Sequence, residues 1–114
     1  MRIYIAHPYT GDEKRNRERA KEAEELLRKA TPWVFFYNPA GHVKPIWERT
    51  SVYFEELLKC NGVVLCGDWM QSEGCRLEAK IAKKLKMPRW YGVDAYVKMW
   101  AQIEDDARKV ESAI

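Results

Sequence analysis

The chain has 114 residues, 46% hydrophobic and 32% charged, a composition that supports one self-sufficient fold and excludes a multidomain machine or a disordered chain. Twenty Lys and Arg against seventeen Asp and Glu leave a net charge of +3, spread along the chain without the basic stripe that marks a nucleic-acid partner. Apolar runs such as Trp33 to Tyr37 and Gly62 to Cys66 fall far short of the ~20 residues a membrane-spanning helix needs, and no secretory leader is visible, so the expected location is the cytoplasm.

In chain order, Ile3 to Ala6 is a short apolar run closed by His7 and Pro8, which predicts a buried first strand. From Asp12 a charged segment places Ala20, Ala23, Leu26, Leu27 and Ala30 at helical spacing, predicting a first helix that buries its later turns. Pro32 ends it, and the β-branched and aromatic run Trp33 to Tyr37, closed by Asn38 and Pro39, predicts a second strand. A loop bearing Gly and Pro leads to Trp47, which with Phe54, Leu57 and Leu58 marks a second helix. Val63 to Cys66 predicts a third strand and Gly74 to Lys86 a third helix, its lysines lying mostly opposite Leu77, Ile81 and Leu85. Arg89 to Tyr91 predicts a fourth strand, and Asp94 is a candidate cap for a final helix over residues 93–114.

Strands alternating with helices at this spacing predict parallel pairing through crossovers: a single α/β domain over residues 1–114, with an open sheet of about four strands and helices on both faces. The final helix repeats Tyr96, Trp100, Ile103, Ala107, Val110 and Ile114 at spacings of four and three. Such a seam suits either a helix covering its own sheet or one that also packs on a second copy. Cys60, Cys66 and Cys75 form no CxxC pair, so reduced core thiols are expected rather than a disulfide framework or a zinc site.

Ligands of open α/β sheets bind at the carboxyl ends of the strands, which selects the loops His7 to Asp12, Asn38 to His42, Gly67 to Gly74 and the turn near Gly92. Glu78 stands out there. Ile81, Ala82 and Leu85 follow it by three, four and seven residues, so its carboxylate falls within the apolar stripe of its helix, a costly place unless paired. Lying about one turn from the helix start, it can project into the crevice. Tyr4 brings a phenol close to the end of the first strand, either as a core aromatic or as a group that orients a carboxylate; Tyr9 is a weaker second. Ser72 and Gly74 sit where free helix amides meet a polar ligand, or act as a simple cap and turn. Trp69 is either a lid on the core or a platform for a planar base. His7 can donate to a phosphate or sugar, and His42 has no companion at metal-ligand spacing, so no metal is expected. The motifs of dinucleotide folds, P-loops and serine-hydrolase elbows are missing, and no cofactor is expected.

The segments Ile3-Tyr4-Ile5-Ala6-His7-Pro8-Tyr9-Thr10-Gly11, Asn38-Pro39-Ala40, Trp47 and Gly67-Asp68-Trp69-Met70-Gln71-Ser72-Glu73-Gly74-Cys75-Arg76-Leu77-Glu78-Ala79 together resemble the nucleoside 2-deoxyribosyltransferase-like superfamily. The closest resemblance is to the small DUF4406 group common in phages and prophages. It covers about residues 1 to 90 and implies a flavodoxin- or Rossmann-like fold acting at the N-glycosidic bond of a nucleoside or nucleotide. By the same resemblance, Glu78 attacks the anomeric carbon, Tyr4 orients it, and His7, Thr10, Gly11 and Ser72 contact sugar or phosphate. It further implies a homodimer or larger assembly.

Asn61 stands where the pattern has aspartate, and can hydrogen-bond a base or sugar but not exchange a proton near neutral pH. Asp68 is then a candidate acid. The expected function is therefore cleavage or transfer at a nucleoside or nucleoside 5′-monophosphate through a covalent glycosyl-Glu78 intermediate, with Trp69 stacking on the base. The alternative is a non-catalytic nucleotide-binding or sensor module of the same fold.

Overall fold

The first strand explains most of the architecture because its side chains alternate between two interiors. The structure is a computed structural model that describes residues 1–41 and 46–113; His42, the side chain of Trp47 and Ile114, all singled out above, lie outside the described part. Strands β1 (Arg2–Ala6), β2 (Phe35–Tyr37), β3 (Gly62–Leu65) and β4 (Arg89–Tyr91) form one open parallel sheet in the order β2-β1-β3-β4. Four helices connect or follow them: α1 (Glu13–Ala30), α2 (Ile46–Leu58), α3 (Glu73–Lys84) and α4 (Val93–Ala113). The expected fold class is the observed one.

Ile3 and Ile5 pack on one face with Ala23 and Leu27 of α1 and Tyr96 of α4. Tyr4 and Ala6 point to the other face, among Leu57 of α2 and Cys75 and Ala82 of α3. This is the period-two geometry of a strand covered on both sides. All three cysteines are buried free thiols, and burial pushes Cys66 and Cys75 up to about 12, so they act as small apolar residues.

Local chemistry sets the boundaries. Asp12 caps α1 by accepting from the Arg15 amide at 3.2 Å. The buried Thr31 hydroxyl donates to the Leu27 carbonyl at the end of α1 and meets the Tyr96 hydroxyl at 2.8 Å, tying α1 to α4. Several sequence expectations shift. Strand β2 begins only at Phe35, because Trp33 leaves the sheet and meets the Trp100 ring edge-on. Helix α3 ends at Lys84, since Lys86 turns into positive φ, and its buried stripe is Cys75, Glu78 and Ala82 rather than the Leu77 and Leu85 side. Helix α4 starts at Val93, after Gly92 at φ 105°, which places Asp94 inside the first turn instead of at the cap. Its first two turns cover the sheet, whereas residues 101–113 are exposed along their whole length. Among the described residues, no helix is long and apolar enough to cross a membrane.

The amino edge of the sheet is fixed by a reciprocal link. The Arg2 amide donates to Asn61 Oδ1 at 2.8 Å, and the Asn61 amide donates to the Arg2 carbonyl at 2.7 Å. Beside it, a Cβ on Gly62 would lie 2.7 Å from Trp90 Cζ3 and 3.1 Å from the Pro88 carbonyl oxygen. Overpacking at so tight a junction costs about 1–3 kcal/mol. Gly62→Ala is expected to lower unfolding stability by that amount in urea titration, and an unchanged midpoint would show that β3 and β4 have room to separate there.

Candidate active site

Strand order alone locates the crevice. The chain moves outward from β1 to β2 and then crosses back to β3, so the loops leaving the central strands diverge at their carboxyl ends. A cavity of about 570 Å3 lies there, walled by the end of β1, the loops after β1 and β2, the last turns of α2 and the first turns of α3.

The loops are held by side-chain-to-backbone hydrogen bonds rather than by regular structure. Asn16 Nδ2 donates to the Tyr9 and Thr10 carbonyls at 3.1 and 3.0 Å, and an Arg17 guanidinium N–H donates to the Tyr9 hydroxyl at 2.9 Å. After β2, the buried Asn38 donates to the Ala20 carbonyl at 3.0 Å and accepts from the Ala40 amide at 3.3 Å. Ser72 caps α3 by accepting from the Cys75 amide at 3.3 Å, which leaves the preceding amides of the first turn to the cavity side.

Glu78 is only 8% exposed, and it lines this cavity together with Tyr4. Tyr4 Oη and Glu78 Oε2 are both buried without a hydrogen-bond partner among the described residues. The two groups nevertheless feel each other. Burial pushes the Glu78 carboxyl up to about 7, while the Tyr4 phenol pulls in the opposite direction. The Tyr4 phenol is itself raised well above its ordinary range, by burial first and by the Glu78 charge second. Tyr37 stacks on Tyr4 with ring centroids 5.7 Å apart, which holds the phenol in place. The result is a carboxylate balanced between ionised and neutral forms near pH 7, aimed into a solvent-reachable space.

Of the residues singled out in the sequence, Tyr4, His7, Tyr9, Thr10, Ser72, Gly74 and Glu78 line the cavity. Gly11, Asn61, Asp68 and Trp69 do not. Gly11 provides a turn at φ 100°, where an added Cβ would meet no described atom within 4 Å beyond its chain neighbours. Asn61 sits at the amino edge, the wrong end of a parallel sheet for a ligand, where it pairs with Arg2. Asp68 is exposed in the loop after β3. Trp69 stacks on Tyr91 with centroids 5.6 Å apart and packs against the core beneath, and it does not line the cavity.

The aromatic wall comes instead from Tyr53 and Phe54 of α2. Phe54 looks in the sequence like an ordinary core-facing position, and no spacing rule separates the two roles. Asn38, the other contributor missed as a site residue, is signalled only by the Asn38-Pro39-Ala40 motif.

A family profile described as a domain of unknown function, DUF4406, matches residues 1–91. The chain belongs to the DUF4406 family. The match runs from β1 through β4 and so takes in every cavity-lining element. No curated protein and no solved structure matches the chain significantly. Among the described residues of this DUF4406 protein, no cluster of three or more His, Cys, Asp or Glu is arranged to hold a metal ion.

The Glu78 acidity carries a stability signature. Between its ordinary value of 4.5 and about 7, the unfolded chain releases a proton that the folded protein retains, so stability falls as pH rises through this window and levels off above it. The full effect is about 3 kcal/mol. Urea titration across pH is expected to show Glu78→Gln gaining on the wild type by up to that amount between pH 4.5 and 8. A difference independent of pH would mean that Glu78 titrates as an exposed acid.

Proposed function

We propose that this protein cleaves or transfers at the N-glycosidic bond of a (deoxy)nucleoside or its 5′-monophosphate, as in the nucleoside 2-deoxyribosyltransferase-like superfamily that its motifs resemble. The observation that carries this reading is a Glu78 oxygen with no hydrogen-bond partner among the described residues, buried yet lining a cavity beside a phenol in the same state. A carboxylate so placed is desolvated and free to attack carbon, and its environment matches what a covalent glycosyl-transfer step requires.

In this reading the ionised Glu78 attacks the anomeric carbon as the bond to the base breaks, giving a glycosyl ester. Water or a second base then attacks the same carbon from the opposite side, releases Glu78 and restores the original configuration. In the reacting complex the Tyr4 hydroxyl turns to donate to the carboxylate, a bond not made among the described residues of the free protein, and so orients it and stabilises its charge, in the same sense as the phenol's lowering of its pKa. Tyr53 and Phe54 take the base-facing role first given to Trp69. Cys75, although at the cavity wall, is held protonated near neutral pH and takes no nucleophilic part. The binding-only alternative rests on Asn61 in place of aspartate; Asn61 pairs with Arg2 at the amino edge of the sheet and does not line the cavity, and binding without turnover stays the second reading.

Incubation with a panel of deoxynucleosides and 5′-monophosphates, with and without a free acceptor base, is expected to release base, and Glu78→Ala to reduce release by about 10³-fold or more. Thermal stabilisation by the panel without any product would favour a binding module instead.

The rate should rise with pH as Glu78 ionises near 7. Tyr4→Phe is expected to lower kcat/KM by about 10- to 100-fold, the worth of one hydrogen bond to a charged group, and to move the rising limb to higher pH. An unshifted limb would assign Tyr4 a packing role only.

A further inference from the structure

Glycosidic cleavage through Glu78 leaves one chemical demand unmet: the departing base carries away the bonding electrons and must be protonated or otherwise neutralised. Asp68, the acid suggested by the sequence, does not line the cavity. His7 does. It follows directly on β1, and its ring is fixed in two ways. Nδ1 lies 2.8 Å from the Pro8 carbonyl oxygen, and because a carbonyl only accepts, Nδ1 must carry the proton. The imidazole also rests against the loop after β3, so closely that a Cβ on Gly67 would come 3.1 Å from Nε2; Gly67, at φ 57°, also holds a backbone conformation that favours glycine.

No hydrogen bond engages Nε2 among the described residues. A histidine whose Nδ1–H is committed to a backbone carbonyl presents Nε2 as its working atom, a lone pair in the neutral ring and an N–H in the cation. Orientation and tautomer are thus settled before any ligand arrives, which is the preorganisation that proton transfer requires.

We propose that His7 is the acid and base of the reaction, an inference that rests on the function proposed above for Glu78. In the first step the Glu78 oxygen forms its bond to the anomeric carbon, the carbon–nitrogen bond breaks with its electrons going to the base, and the proton on His7 Nε2 passes to the base nitrogen. In the second step water attacks the anomeric carbon, the bond to Glu78 breaks with its electrons returning to the carboxylate, and the water proton passes to Nε2. The imidazolium is regenerated, and the sum is nucleoside plus water giving base plus sugar.

The test compares leaving groups. Wild type, His7→Gln and His7→Asn are assayed on the four common deoxynucleosides and their 5′-monophosphates, and on 7-methyl-2′-deoxyguanosine and its 5′-monophosphate, whose base departs as a neutral molecule without needing a proton. Both variants are expected to lose about 10²-fold or more on the ordinary substrates while the initial release of 7-methylguanine, followed as a single-turnover burst, stays within about threefold of wild type. Equal losses on both classes would assign His7 a structural role, and no loss on either would remove it from the reaction; each overturns the proposal. Wild-type release of 7-methylguanine alone would overturn it as well, because the protein would then lack an acid. If wild type releases no base from any substrate, the reading of Glu78 fails, and the role of His7 with it.

Discussion

Everything distinctive in this protein turns on a single carboxylate kept out of bulk water without a salt-bridge partner among the described residues. Glu78 occupies the middle of the buried stripe of α3, between Cys75 and Ala82. Isolating a carboxylate in that way is unfavourable, and what moderates it is a phenol from the central strand and the opening of the cavity on one side. Replacing Glu78 by an apolar residue of similar size would suit the packing better. Burial that raises its pKa toward neutrality costs folding stability, and such perturbed groups cluster at functional sites.

The fold sets the placement of Glu78 by dividing the two ends of the sheet. At the amino edge, the paired Arg2 and Asn61 hydrogen bonds and the close approach of Gly62 to Trp90 fix strand register. Register then decides which face of β1 bears Tyr4, because a shift of one residue would exchange it with Ile3 or Ile5. At the carboxyl edge, Asn16, Asn38 and Ser72 replace regular backbone pairing with individual hydrogen bonds. Those loops can therefore present polar groups to a ligand while remaining attached to α1 and α3. Helix α4 contributes chiefly Tyr96 and its neighbours on the far face, and its exposed second half lies away from this division of labour.

The strands and helices were legible in the sequence because burial on two faces leaves continuous apolar runs, as in Val63 to Leu65, and because the helix boundaries carry Pro, Gly and capping residues. Glu78 was legible for a related reason: a charge at an apolar position violates the pattern. The edges were harder. Trp33 reads as strand but its indole finds a better surface on Trp100, a tertiary contact that propensity does not encode. Leu77 and Leu85 suggest an inner face for α3 that the structure leaves exposed, the buried stripe being Cys75, Glu78 and Ala82. Trp69 reads equally as a lid on the core or a platform for a base; its packing on the core and its stacking on Tyr91, distant in sequence, match the lid. Asn61 is named only through the motif resemblance; the structure puts it at the amino edge, paired with Arg2 and away from the cavity. His7 showed only its position in the sequence; its tautomer depends on a carbonyl whose direction the fold sets.

The most direct measurement is a search for the intermediate itself. The protein is mixed with a reacting deoxynucleoside, quenched in acid within a turnover, digested, and its peptides examined by mass spectrometry. A deoxyribosyl ester on Glu78, formed only with substrate and released on further incubation, is the result expected from a buried carboxylate poised at the anomeric carbon. Base release with the sugar attached to another residue, or with no adduct at any quench time, would contradict the account.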